Sequence, residues 1–237
     1  MRKEDKVELP VENLEVPKTW SPVPAELNNA LRIVQTCASK DETRFNLTCI
    51  HMNPAFVEAS DSYQFVRFKI KLPLKKAFLV RKDSLVHVLD SDMVDMSETD
   101  NWIHFRNETG LVYSCRRYME KFPDASRVYK VKGAAVVLPK SIKSTCERAD
   151  VFSSENLTNV VTIKLVKGRV YVDAQGSSGE YTEVGKAKYD GEPFKFTIPP
   201  SLLARLVGYN PECRIEGDVL CLDGNGYTYV TTLGTLD

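Results

Sequence analysis

The feature that most constrains this chain is that it repeats itself. The run "FVEAS" at Phe56–Ser60 matches "YVDAQ" at Tyr171–Gln175, about 115 residues further on. Each follows, at a similar distance, a helix-patterned segment that ends in a Ser-rich acidic bend, "SKDE" in one half and "SSEN" in the other. A repeat this long implies two copies of one domain. The 237 residues accommodate either one large domain or two of roughly 100 to 120 residues, and the repeat selects two.

Each half reads strand, helix, several strands, short helix, strands. In the first, "PAELNNALRIVQTCASK" from Pro24 to Lys40 places Leu27, Ala30, Leu31, Val34, Cys37 and Ala38 on one apolar helical stripe. Its other face holds no carboxylate between Glu26 and Asp41. Strand patterns follow in "FNLTCIHM", "AFVEASDS" and "YQFVRFKIKL", then a short helix "KDSLVHVLD" with Asp83 or Ser84 as its cap. "NWIHFRN" and "GLVYSCRRY" read as a hairpin turning at Glu108-Thr109-Gly110. The second half opens with the short strand "GAAVVL", with Pro139 at a first helical position. The helix "KSIKSTCERADVF" then turns Ile142, Cys146, Ala149 and either Val151 or Phe152 inward and Lys140, Lys143, Glu147 and Arg148 outward. "NVVTIKLV", "GRVYVDAQ", "TEVGKAKYD" and "PFKFTIP" read as strands, and "PSLLARLVG" as a helix capped at Gly208. "CRIEGDVLCLD" and "GYTYVTTLG" close the chain as two strands joined by Asp-Gly-Asn-Gly.

Composition excludes several classes. Hydrophobic residues make up 43% and charged residues 27%, with a formal net charge of 0, which argues against a protein that coats nucleic acid over its whole surface but not against basic residues gathered on one face. No apolar run has signal-peptide or membrane-span length, so the expectation is a cytoplasmic protein without membrane contact. The six scattered cysteines form no Cys-x-x-Cys and read as reduced, buried thiols. The Asn-x-Ser/Thr matches at Asn46, Asn107 and Asn156 carry no weight without secretion. His51, His87 and His104 are isolated, and no catalytic signature or phosphate-cradling loop is present. "GSSGE" at Gly176–Glu180 reads as a hairpin tip. No enzyme, cofactor or metal site is expected.

Three stretches, "SKDETRFNLTCIHM", "VEASDSYQF" and "KFPDASRV", resemble in order one domain of the bacterial beta sliding clamp family, the processivity subunit of replicative DNA polymerases. The second half, from "GAAVVLPKS" to "YVDAQ" and on through "YDGEPFKFTIPPSLLARLV", resembles that family's final domain. The resemblance covers roughly Pro22 to Asp237, and its most specific parts are "FPDASRV" and "YDGEPFKFTIPPSLL". It implies an α+β chain of two tandem DNA-clamp domains, 1–127 and 128–237, each of two antiparallel sheets with two helices facing a channel. The bacterial family closes six domains into a ring from two three-domain chains; two domains per chain imply three chains, a homotrimer. Residues 1–20 are either an edge strand, "KVELPV", or an arm. A phage or mobile-element origin would fit the absence of the family's first domain and the divergence of its peptide pocket.

A ring of this kind encloses duplex DNA without sequence preference and tethers a polymerase, so it needs positive charge on its inner helices. The candidates are Arg32 and Lys40 on the first helix, Lys140, Lys143 and Arg148 on its counterpart, Lys82 and Arg205 on the short helices, and Arg44 with Phe45 in the acidic bend. Ordinary solvated helix faces carry the same residue types, Glu147 and Asp150 dilute the second track, and Phe45 is either a DNA-stacking ring or core. In the family, the segment matching "FPDASRV" walls a pocket for short peptides of polymerases and the clamp loader. Carried over by position, that pocket uses Leu47, Ser60, Ser62, Tyr63, Gln64, Pro123, Arg127, Val128, Val230, Thr232 and Leu233. Tyr63 and Gln64 stand where the family has His and Arg, and "YVTTLGTLD" replaces a Met-rich ending, which implies altered peptide specificity. "EKFPDASRV" is then both linker and wall; the plainer reading is a turn that only sets the domain junction. The rival to an encircling clamp is a clamp-fold interaction protein that binds replication proteins without enclosing DNA.

Overall fold

In the computed structural model, residues 14–125, 128–154 and 158–235 are described. The strand expected in "KVELPV" and the pocket residue expected at Arg127 lie outside them. The chain divides into two units: one runs to Ser62 and resumes over Arg67–Pro123, and the other takes Tyr63–Val66 and everything from Asp124.

The first unit runs β1 (Ser21–Pro22), α1 (Leu27–Val34), β2 (Cys49–Asn53), β3 (Phe56–Ser60), β4 (Gln64–Lys69, whose first three residues belong to the second unit), β5 (Phe78–Arg81), α2 (Lys82–Leu89), β6 (Met93–Glu98), β7 (Trp102–Asn107) and β8 (Val112–Arg116). The second repeats it: β9 (Ala134–Val137), α3 (Ile142–Ser153), β10 (Val161–Val166), β11 (Arg169–Gly176), β12 (Gly179–Lys186), β13 (Phe194–Ile198), α4 (Pro200–Tyr209), β14 (Glu212–Glu216), β15 (Val219–Asp223) and β16 (Tyr227–Thr232). Sheet order repeats as well. The first unit has β1-β6-β7-β8 and β5-β2-β3-β4; the second has β9-β14-β15-β16 and β13-β10-β11-β12. Neighbouring strands are antiparallel. "FVEAS" and "YVDAQ" fall on β3 and β11, equivalent strands of the two units. The textual repeat is therefore a repeat of fold.

Period-2 burial explains the sheets. In β10, Val161, Ile163 and Leu165 are fully buried while Lys164 is exposed, so one face meets a core and the other meets water. In α1, Leu27, Ala30, Leu31 and Val34 are fully buried, as is Cys37 just beyond it, the stripe expected from the sequence. Burying one such Leu contributes on the order of 2 kcal/mol. All six cysteines are buried, and burial pushes the Cys115, Cys146 and Cys213 thiols up to about 12. They pack as small apolar groups.

Several local expectations are corrected. The first helix does not reach Lys40: a 3-10 turn, Gln35–Cys37, follows α1, and Ala38 is extended. "FNLT" is no strand but part of a second 3-10 stretch, Glu42–Thr48, capped by Asp41, whose side chain accepts from Thr43 N. Neither Asp83 nor Ser84 caps α2, which begins at Lys82 after extended Arg81. α3 begins at Ile142, leaving Pro139 and Lys140 ahead of it; Val151, allowed an inward place, is exposed. Gly208 lies inside α4, which ends at extended Asn210. "CRIEGDVLCLD" is a hairpin, β14–β15, because Gly217 adopts φ +56° and reverses the chain. β5 and β6 carry no clear alternation and are not evident in the sequence pattern.

Candidate functional site

The residues assigned to DNA and to peptide binding fall into distinct local groups. In the first unit, the 3-10 stretch after Asp41 presents Arg44, exposed, beside Phe45, half-buried. Arg44 has non-helical angles within it (φ −114°, ψ 62°), which turns its guanidinium to donate to Ser62 Oγ. Ser62 is itself at φ +85°, and its N donates to Ser60 Oγ at 3.1 Å. Phe45 meets the Tyr118 ring edge-on at 4.8 Å, which favours the packing role over a free stacking ring. Leu47 and Ser60 are buried and Pro123 is exposed.

Beneath the Phe-Pro-Asp run lies a network that the sequence pattern did not reveal. Glu58 on β3 is 3% exposed and receives Arg67 Nε and Nη2, both at 2.7 Å; its other oxygen lies 2.6 Å from His51 Nδ1. A buried carboxylate is tolerable only with such partners. Phe122 stacks on His51 at 5.1 Å and 20°, and Arg67 lies 4.1 Å over the Phe56 ring. The "FPD" segment is thus anchored through its phenylalanine. Alternation along "HMNPAFVE" could have placed His51 opposite Glu58, since the two are register partners across β2 and β3.

In the second unit, Tyr63, 72% exposed, and Gln64 stand next to the end of β16: Thr232 N donates to Tyr63 O at 2.9 Å. Gln64 Oε1 accepts from Arg205 Nη2 at 2.8 Å and from the Tyr229 hydroxyl, and Arg205 Nη2 also lies 3.0 Å from Tyr229 Oη. Arg205, a DNA-binding candidate, is therefore half-buried and directed at Gln64. Val230 is buried at 2% with Val131 and Cys221, Leu233 is buried, and Val128 is 38% exposed with its N bonded to Ala125 O at 3.0 Å. Thr232 is exposed.

The cations on and beside the helices divide into unpaired and engaged. Lys40, Lys140 and Lys143 are exposed and make no ion pair among the described residues. Lys82 opens α2, half-buried. Arg32 is exposed but donates through Nη2 to Leu89 O at 3.1 Å, at the negative end of α2. Arg148 is held by Glu183, with Nη2 at 2.6 Å from Oε2, and by Tyr181 Oη at 3.0 Å from Nε. Glu183 also accepts from the Tyr181 hydroxyl and, at 2.8 Å, from Thr145 Oγ1. The Tyr181 hydroxyl, then Arg148 and Thr145, hold its carboxyl down at about 2. No group of three His, Cys, Asp or Glu among the described residues could hold a metal, and no described helix is long and apolar enough to cross a membrane.

Solved structures carry the same arrangement of strands and helices. A DNA polymerase III beta chain from Streptococcus pneumoniae matches 99% of this chain and 68% of its own at a TM-score of 0.82 and 17% identity. The beta subunit from Thermotoga maritima matches 97% of this chain and 70% of its own, at 0.79 and 17%. The subunit from Pseudomonas aeruginosa matches 94% and 68%, at 0.80 and 14%. The fold is that of the bacterial sliding clamps. No protein-family model and no curated protein matches the sequence. Within this fold, Arg148 and Arg205 are both engaged by neighbouring side chains.

Proposed function

We propose that this protein is a DNA sliding clamp, a processivity factor that closes as a ring around duplex DNA and tethers a replicative polymerase. The observation that carries the reading is the duplicated clamp unit: the same strand order twice in one chain, aligned over 94–99% of its length with bacterial clamps. Two clamp domains, 1–127 and 128–237, meet in the "FPDASRV" segment, and three copies supply six domains to a closed ring. Lys40, Arg44, Lys140 and Lys143 supply exposed charge for sequence-independent phosphate contact; Lys82 and Arg32 add to it, and Arg148 adds little while Glu183 holds it. Short peptides of a polymerase and a clamp loader dock on the second unit beside Tyr63, Gln64, Val128 and Thr232, where an exposed ring and an exposed aliphatic side chain offer anchors. No chemistry on the DNA is required.

A second reading has two observations in its favour. Formal charge balances at 0, and Arg148 and Arg205 already have partners, as suits a clamp-fold adaptor that binds replication proteins without enclosing DNA. Native mass spectrometry together with retention on DNA separates the two. A species of about 80 kDa, three copies of the 26.7 kDa chain, held on nicked circular DNA and lost when the circle is cut, is the expected result. A monomer at micromolar concentration that the circle does not retain would sink the ring and leave the adaptor.

A further inference from the structure

The second unit carries a cationic face that the clamp reading does not use. α3 packs on β10, β11 and β12, and Glu183 of β12 points to Thr145 and Arg148 of α3. The alternate residues of these strands therefore point away from the helices, and at one end of this face basic residues gather. Lys164 on β10 is directly opposite Lys195 on β13. Arg169 on β11 is directly opposite Lys186 on β12. Lys167, in the β10–β11 turn, and Lys188, just past β12, add two more exposed cations at the same end. None of the six makes an ion pair among the described residues. Like charges facing each other across a sheet are destabilising, so both pairs work against the fold unless something anionic covers them. The carboxylates on this side are Asp173, which accepts from Thr182 Oγ1 at 2.7 Å, Glu180 at the far end of β12, which accepts from Gln175 Nε2 at 3.3 Å, and Asp190 and Glu192 in the loop before β13.

One row across all four strands reads Val184, Tyr171, Lys164, Lys195. Val184 is 50% exposed, Tyr171 is partly exposed, and Lys164 Nζ lies 5.9 Å from the Tyr171 ring centroid. Strands are spaced by about 4.8 Å, so this row sets an aromatic face and an apolar side chain beside two cations within a few strand widths. We propose that this outer sheet face binds single-stranded DNA, with its phosphates on Lys164, Lys195, Arg169 and Lys186 and a base stacked on Tyr171. A polyanion alone would explain the cations. The aromatic set among them favours a strand with free bases, because stacking tolerates any base and adds to backbone attraction.

The test is fluorescence anisotropy of the full chain with a fluorescein-labelled oligothymidylate of about 20 nucleotides, longer than one stacking site needs, over a salt series. Wild type binds, and more weakly as salt rises. The double variant K164Q/K195Q, which relieves repulsion and so keeps the fold, is expected to bind at least about tenfold more weakly, and Tyr171→Ala several-fold more weakly. Lys76→Gln, exposed in the first unit between β4 and β5, is expected to stay within about twofold. No binding by wild type, or unchanged binding by K164Q/K195Q, overturns the proposal. So does a polyglutamate of equal length that binds as tightly as the oligonucleotide and is indifferent to Tyr171→Ala, which would assign the face to an acidic protein. Ring formation and retention on circular duplex DNA do not depend on this face, so K164Q/K195Q is expected to keep both.

Discussion

At the scale of single residues, two positions yield sharp expectations. Glu183 ties α3 to β12 through Thr145, Arg148 and Tyr181. Its folded carboxyl sits at about 2, against an ordinary 4.5. A depressed carboxylate contributes stability that is fully present above the ordinary value and is lost as pH falls through the folded one. The side chain is 34% exposed, so solvent screening keeps the contribution small, under about 1 kcal/mol. Glu183→Gln is expected to lower the melting temperature slightly at pH 7 and to flatten the loss of stability between pH 4.5 and about 2; thermal melts across that range check it, and an unchanged acid limb would refute the linkage. The second position is Gly133, just ahead of β9. A Cβ there would lie 1.8 Å from the Ile215 carbonyl oxygen and 2.7 Å from Glu216 Cβ, and Ile215 is the register partner of Ala134. Backbone cannot give way as a flexible side chain can. Gly133→Ala is therefore expected to cost about 2 kcal/mol or more in chemical denaturation, whereas Gly208→Ala, with open space around its Cβ position inside α4, is expected to stabilise by a few tenths to about 1 kcal/mol.

At the scale of elements, what could be read from sequence was what lies close along the chain. α1 was legible because its stripe at helical spacing, Leu27 to Val34, is local. β14 and β15 were not separated, since "CRIEGDVLCLD" reads as one apolar run and only the φ of Gly217 shows the reversal. The site suffered most from distance. Arg205 reaches Gln64 across 141 positions and Arg148 reaches Glu183 across 35, so their engagement could not be seen in any local pattern and they read as free cations. Lys143 and Lys140 read correctly as outward because helix and turn spacing decide that locally. The paired lysines of β10 and β13 are of the same long-range kind: far apart in sequence, Lys164 and Lys195 become neighbours only through register. Breaking that like-charge pair has a consequence for the sheet itself. Lys195→Gln is expected to raise stability by about 0.2 to 1 kcal/mol, seen as a small rise in denaturation midpoint at low salt that shrinks as salt screens the repulsion. A destabilised Lys195→Gln would mean that the two ammonium groups avoid each other despite their register.

At the scale of the molecule, the proposed ring would have to hold duplex DNA by charge that is available, and the structure separates available from engaged charge. Neutralising one cation that meets a phosphate should shallow the dependence of log affinity on log salt by about 1. Lys143 is exposed on α3, and Arg44 is exposed with the Ser62 hydroxyl as its hydrogen-bond partner, so Lys143→Gln and Arg44→Gln should each reduce the salt slope on duplex DNA. Arg205 is half-buried against Gln64 and Tyr229; Arg205→Gln should leave that slope nearly unchanged and instead lower stability, since Gln64 and Tyr229 lose a charged donor, at a cost of about 1 to 3 kcal/mol. Duplex binding measured at several salt concentrations, beside a denaturant melt of each variant, decides between the two kinds of residue. If Arg205→Gln flattens the slope as much as Lys143→Gln does, Arg205 leaves Gln64 to meet phosphate when DNA is present. If neither Lys143→Gln nor Arg44→Gln changes it, the helical face does not carry the duplex, and the clamp fold here serves protein partners instead.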